Sequence, residues 1–268
     1  MNSVVGKSIT RIYENGRSEN KTDQLAVEEP LEISIQHRGK LKPVSVTMRT
    51  PGNDAELAIG FLFTENIVRN AENIAEVKHP DSNRIIIHLS DETEFSPESL
   101  DRNFYTTSSC GVCGKSSIDS VKQNIHAAGP RNFLSATNAV LLSLPAKLRE
   151  AQEVFNSTGG IHASGLFNQN GELLAYREDV GRHNALDKLI GYALLEKINL
   201  HDKILLLSGR ASFELLQKAA MAGIPLVAAI GAPSSLAVEM ANENYITLIG
   251  FLKEDRFNVY TGISKAQS

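Results

Sequence analysis

The chain has 268 residues, 42% hydrophobic and 22% charged, a globular balance with room for one large domain or two smaller ones. A net charge of −4 excludes a nucleic-acid binder resting on a basic face, and no apolar run approaches the roughly 18 residues of a membrane span. The opening MNSVVGKSITRIYENG lacks the apolar core of a secretory signal and the two cysteines cannot form a disulfide framework, so the expected compartment is the reducing cytoplasm.

Residues 1–24 are polar and read as a flexible segment in which ITRIY forms one short strand. Residues 31–35 (LEISI) and 44–48 (VSVTM) alternate apolar and polar side chains around the turn HRGK, which predicts a hairpin. AELAIGFLFTENI then predicts a helix with Asp54 as its N-cap and Leu57, Phe61 and Leu62 on one face. RIIIHL, residues 84–89, is a further strand, so residues 25–104 form a smaller α+β region.

Residues 105–118 contain TTSSCGVCGKSS, which holds both cysteines and reads as a mobile loop. Beyond it, residues 119–268 change texture. After a weakly helical stretch, helices are expected at 139–152, 184–198, 213–222 and 234–242. Apolar strands are expected at 160–167, 173–177, 203–208, 225–230 and 245–251, with Asn170-Gly171 as a hairpin turn. Strands alternating with helices of this length predict an α/β domain whose sheet is mixed and largely parallel.

The Cys110/Cys113 pair has four readings. A zinc site completed by His162 or His183 would need two more ligands of suitable spacing. A redox dithiol belongs directly between a strand and a helix, and inert cysteines belong in apolar runs. The polar, glycine-bearing loop and the adjacent Lys115, which favours a thiolate, point instead to nucleophilic sulfur.

The second cluster, REDVGRHNALDK at residues 177–188, packs seven ionisable groups around Gly181 at a strand-to-helix junction. A solvated polar loop is its plain interpretation. A ligand role rests on free N–H groups at the helix start and on the planar forks of arginine. Third, SGRAS follows the strand KILLLS and GAPSS follows PLVAAI, both ahead of helices. The carboxyl ends of such strands are where open α/β sheets bind ligands. The phosphates of a phosphorylated ligand such as a nucleotide are expected over Gly209, Arg210 and Ala232, with Arg182 and His183 from the neighbouring loop. His162 is either a core histidine or part of this site.

CGVCG, TGGIHASGLF, REDVGRHNALDKLIG, SGRASFELLQKAAMAGIP and GAPSSLAVEMA together resemble the FdhD family, the formate dehydrogenase accessory sulfurtransferases, over about residues 25–262. The resemblance implies a C-terminal domain of cytidine-deaminase-like, three-layer fold, a homodimer, and no tightly bound metal of its own. It implies that a cysteine desulfurase supplies persulfide sulfur to Cys110, with Cys113 in support. The sulfur then passes to the molybdenum cofactor, bis-molybdopterin guanine dinucleotide, before insertion into formate dehydrogenase. It also places cofactor binding on Phe251, Leu252, Lys253, Glu254, Asp255 and Arg256.

Two alternatives stand beside it. A zinc deaminase would use His162-Ala163, but Ser164 stands where its glutamate belongs and no P-C-x-x-C follows. A cofactor-binding chaperone would use the same site without sulfur transfer.

Overall fold

Period-two patterning shapes the N-terminal part of the computed structural model, which describes residues 2–93, 95 and 133–262. Strands β1 (Val4–Ile12) and β2 (Ser18–Ala26) pair antiparallel from Val4↔Ala26 to Ile12↔Ser18. The paired strands extend well beyond the single short strand expected in this segment. Both faces of the hairpin are largely exposed, so it carries little of the apolar alternation that marks a strand.

Strands β3 (Glu29–His37) and β4 (Lys40–Arg49) form the expected hairpin. Arg38 and Gly39 turn it with φ of 48° and 77°, the positive angles of a type I′ turn. Helix α1 (Asp54–Thr64) follows, but Asp54 is not its cap. Asn53 takes the cap position in a left-handed conformation without a side-chain bond, while the Asp54 carboxylate accepts 2.9 and 3.0 Å hydrogen bonds from buried Arg49. A buried guanidinium needs a carboxylate more than a helix end needs a cap.

Strand β5 (Ile74–Asp81), too polar to announce itself, and β6 (Arg84–Leu89) complete a four-stranded sheet of order β4-β3-β6-β5, in which β3 and β6 run parallel. Leu31, Ile33, Ile35, Ile85 and Ile87 form a core with Leu57, Ala58 and Leu62 of α1.

The C-terminal part is a sheet covered on both sides. Its helices are α2 (Asn138–Ala151), α3 (Glu153–Thr158), α4 (Arg182–Leu195), α5 (Phe213–Met221) and α6 (Ser235–Glu243). Its strands are β7 (His162–Phe167), β8 (Leu173–Asp179), β9 (Ile204–Leu207), β10 (Leu226–Ala229), β11 (Thr247–Gly250) and β12 (Asn258–Thr261), in the order β12-β11-β10-β9-β7-β8. The sheet is mixed: β9, β10 and β11 are parallel at its centre, and the flanking pairings are antiparallel.

The central strands are buried throughout. Ile204, Leu206, Leu226 and Ala228 share a core with Leu141, Leu144 and Leu148 of α2. The intervening Leu205, Leu207, Val227 and Ala229 pack against α4, α5 and α6. This alternation produces the helix–sheet–helix layering.

The two parts meet where α1 packs on α4. A Cβ at Gly60 would lie 1.9 Å from the Asp187 carbonyl oxygen, and one at Gly191 would lie 1.9 Å from that of Glu56. Only glycine lets the two backbones approach this closely.

Candidate functional site at the strand edge

The parallel strands release three chain segments at one edge of the sheet. Ser208, Gly209 and Arg210 follow β9, Gly231 and Ala232 follow β10, and Phe251 follows β11. Backbone hydrogen bonds join them: Gly231 N–H donates to Gly209 O at 2.9 Å, Ala211 N–H to Ala232 O at 3.1 Å, and Phe251 N–H to Gly231 O at 3.0 Å. A Cβ on Gly231 would lie 3.0 Å from Gly209 O and 3.1 Å from the Arg210 Cα, so glycine keeps this stack closed. Arg210 is exposed and has no hydrogen-bond or ion-pair partner among the described residues.

Strand β7 runs antiparallel to β9, so its first residue, His162, arrives at the same edge. A Cβ on Gly209 would lie 3.4 Å from His162 Nδ1. Helix α4 starts here too, two residues earlier than expected, with Gly181 at the cap and Arg182 and His183 in its first turn. Neither α4 nor α5 has a side-chain cap on its N-terminus, so each has backbone donors there that no capping side chain satisfies.

His183 Nε2 lies 2.9 Å from Glu214 Oε2 of α5, a short contact that is not aligned along the ring N–H. Burial would raise the Glu214 carboxyl, but His183 and Arg182 outweigh it and hold the group below the ordinary carboxylate range. His162 is shifted down from the usual imidazole value, first by burial and then by the positive Arg182 and His183, against an opposing pull from Asp179.

Six buried side-chain polar atoms lack a hydrogen-bond partner among the described residues, and three of them belong to this edge: Ser164 Oγ, Arg182 Nε and His183 Nε2. Ser164, 1% exposed, lies on the same face of β7 as His162. Such orphaned donors facing uncapped helix ends are suited to an anion.

The 177–188 cluster divides between two tasks. Arg177 pairs with Glu56 of α1 and lies over the Tyr192 ring. The Glu178 carboxylate accepts from the backbone N–H groups of Val154 and Phe155 in α3. Asp179, fully buried, accepts from Thr50 N, Gly181 N, Asn184 Nδ2 and Lys188 Nζ. Asp187 binds Lys218 Nζ at 2.9 and 3.0 Å and the Thr64 hydroxyl at 2.9 Å. Burial pushes the Asp187 carboxyl up against the pull of Lys218 and Thr64, while Asp187 holds the Lys218 ammonium above its ordinary range against the effect of burial. Four of the seven ionisable groups, Arg177, Asp179, Asp187 and Lys188, therefore join the two parts of the molecule, Glu178 ties β8 to α3, and Arg182 and His183 remain at the edge. Gly181 serves the join as well, since a Cβ there would lie 3.1 Å from the Asn184 amide nitrogen.

The segment from Phe251 onward divides similarly. Phe251 is exposed at the edge with φ of 51°, whereas Leu252 is 0% exposed and anchors the loop in the core. Lys253 N–H closes a turn on Arg256 O, leaving Lys253, Glu254, Asp255 and Arg256 exposed, with Arg256 paired to Asp255. Cys110 and Cys113 lie outside the described residues. Glu214 escaped notice in the sequence because an acidic residue in a first helical turn already has a reason to be there, complementing the helix dipole.

The fold defines an α/β protein in which a glycine- and arginine-bearing strand edge lies beside a second, smaller sheet. The FdhD/NarQ family profile matches residues 26–267, and the chain belongs to that family. It is 46% identical to the sulfur carrier protein FdhD of Mycolicibacterium paratuberculosis over 256 residues, covering 92% of this chain and 93% of that one. It is 47% identical to the Mycobacterium tuberculosis protein of the same name over 254 residues, with coverage of 90% and 91%. A crystal structure from Desulfotalea psychrophila, described as a candidate formate dehydrogenase accessory protein, shares the fold with a TM-score of 0.76 at 24% identity, over 99% of both chains.

Proposed function

We propose that this protein is a sulfur carrier in formate dehydrogenase maturation. The observation that supports the reading most is similarity over nine-tenths of the chain to proteins named sulfur carrier protein FdhD. In the proposed reaction the Cys110 thiolate attacks the outer sulfur of a persulfide on a cysteine desulfurase. One S–S bond forms as another breaks, the donor cysteine leaves as thiolate, and Cys110 holds the transferred sulfur. Cys113, three residues along the sequence, protects or relays it.

The acceptor substrate in this reading is the molybdenum cofactor, bis-molybdopterin guanine dinucleotide, docked at the strand edge. Arg182 and Arg210 would hold the phosphates of its guanine nucleotide, the backbone at Gly209 and Ala232 would allow close approach, and Phe251 would present an aromatic face. The orphaned donors of the edge fit such a group. The carrier acts in the cytoplasm as a homodimer, ahead of cofactor insertion into the formate dehydrogenase apoprotein.

Intact mass after incubation with a cysteine desulfurase and cysteine tests this directly. One added sulfur, about 32 Da, is expected on the native protein and none on Cys110→Ser. A gain abolished only by Cys113→Ser would exchange the two roles. A Cys110→Ala protein that binds cofactor and still activates formate dehydrogenase would favour a chaperone without sulfur transfer.

A further inference from the structure

His162 is left without a task by the reading above, and its surroundings supply one. Its ring stands at the start of β7, against Gly209. The charged groups that act on it are Asp179 at the end of β8 and Arg182 and His183 in the first turn of α4, with Glu214 of α5 set against His183 and Arg210 one residue beyond Gly209. Two of these are already committed. Asp179 is bound by Lys188 and by three further donors, and Glu214 lies against His183. The local field on His162 is therefore set chiefly by the unpaired Arg182 and its neighbour, and adding a proton to the ring would place another positive charge in a half-buried cationic corner.

A phosphate in this corner reverses that balance. Arg182 Nε lacks a hydrogen-bond partner and Ser164 Oγ lies unpartnered on the His162 face of β7, so the edge already offers polar atoms for an oxyanion to meet, whereas His183 Nε2 lies against Glu214 Oε2 at 2.9 Å. Once an anion neutralises Arg182, an imidazolium at His162 loses that repulsion and gains a second attractive charge beside Asp179, and its N–H becomes a charge-assisted donor.

We propose that His162 is a further anion-binding residue of this edge and takes up a proton from solvent as the phosphate of a nucleoside diphosphate docks beside Arg182. The proposal rests on the reading that phosphate binds at this edge. It makes the affinity of the site depend on pH through one residue, and it favours fully ionised phosphate esters over neutral or carboxylate ligands of similar size.

Calorimetry with GDP and the full-length protein at pH 7.5, in PIPES, HEPES and Tris, reads the proton directly. The binding enthalpy should vary with buffer ionisation enthalpy with a slope of about half a proton taken up per GDP. In His162→Asn that uptake should fall to near zero, with GDP bound roughly three- to tenfold more weakly at pH 6.5 and almost equally above pH 8. His162→Gln should behave like Asn, and unchanged melting temperatures would show both variants folded. GDP binding with no proton uptake in the unaltered protein overturns the proposal without recourse to a variant, and so does uptake that persists in both variants. Absence of GDP binding altogether overturns instead the reading of the edge as a nucleotide site.

Discussion

The seam between the two sheet domains and the strand edge use the same residue types to opposite ends. At the seam the described charges are paired: Arg177 with Glu56, Lys188 with Asp179, and Lys218 with Asp187. At the edge Arg210 and the Arg182 Nε have none among the described residues, and His183 meets Glu214 out of line. One stretch of twelve residues, 177–188, serves both regions, so a dense run of charges marks neither a site nor a solvated loop until its partners are known. Satisfied buried charges hold two surfaces in one register, and the unpaired ones at the edge are the basis of the ligand reading proposed above.

Breaking the seam should cost far more stability than breaking the edge. Gly191→Ala places a methyl group against the Glu56 carbonyl, where both neighbours are helix backbone and neither can give way. Destabilisation of roughly 4 kcal/mol or more is expected, read as a lowered denaturant midpoint. A native-like midpoint would mean that α1 and α4 are not held in contact in solution.

Lys218→Met is next. It removes the cation from a pocket where the Asp187 carboxylate is 2% exposed and cannot recover water. About 3–4 kcal/mol should be lost at neutral pH, and Lys218→Met/Asp187→Leu should regain most of it because both charges then leave together. Failure of the double variant to regain stability would show that the pair contributes more than mutual compensation.

The edge substitutions sharpen the contrast from the other side. Arg210→Ala and Arg182→Ala should leave unfolding unchanged within about 0.5 kcal/mol, since neither arginine makes a stabilising pair. Each should weaken GDP binding about ten- to a hundredfold, with Lys at 210 rescuing only in part. Unchanged affinity in both would move the ligand toward the exposed turn from Lys253 to Arg256.

Most of the elements were legible because burial leaves a periodic record. The alternation in LEISI and the continuous apolar runs KILLLS and PLVAAI have one plausible structural meaning each. The strands that escaped, β5 and β12, and the greater part of the β1–β2 hairpin lie at sheet edges or in solvent, where no face need be apolar. Convergence of the loops after β9 and β10 was also legible, because parallel strands must release their carboxyl ends on the same side.

What the sequence determined by itself is the α/β class, the strand edge with Gly209, Arg210 and Ala232, and the motifs that place the chain in its family. These are local or periodic properties, written in neighbouring residues. Only the tertiary structure decided that Asp54 binds Arg49 instead of capping a helix, that Leu252 faces inward while Phe251 faces out, and that Arg177, Asp179 and Lys188 belong to a seam. A buried charge is defined by the group across from it, and those groups come from chain segments as much as 154 residues away, as Lys218 Nζ does in reaching the Thr64 hydroxyl.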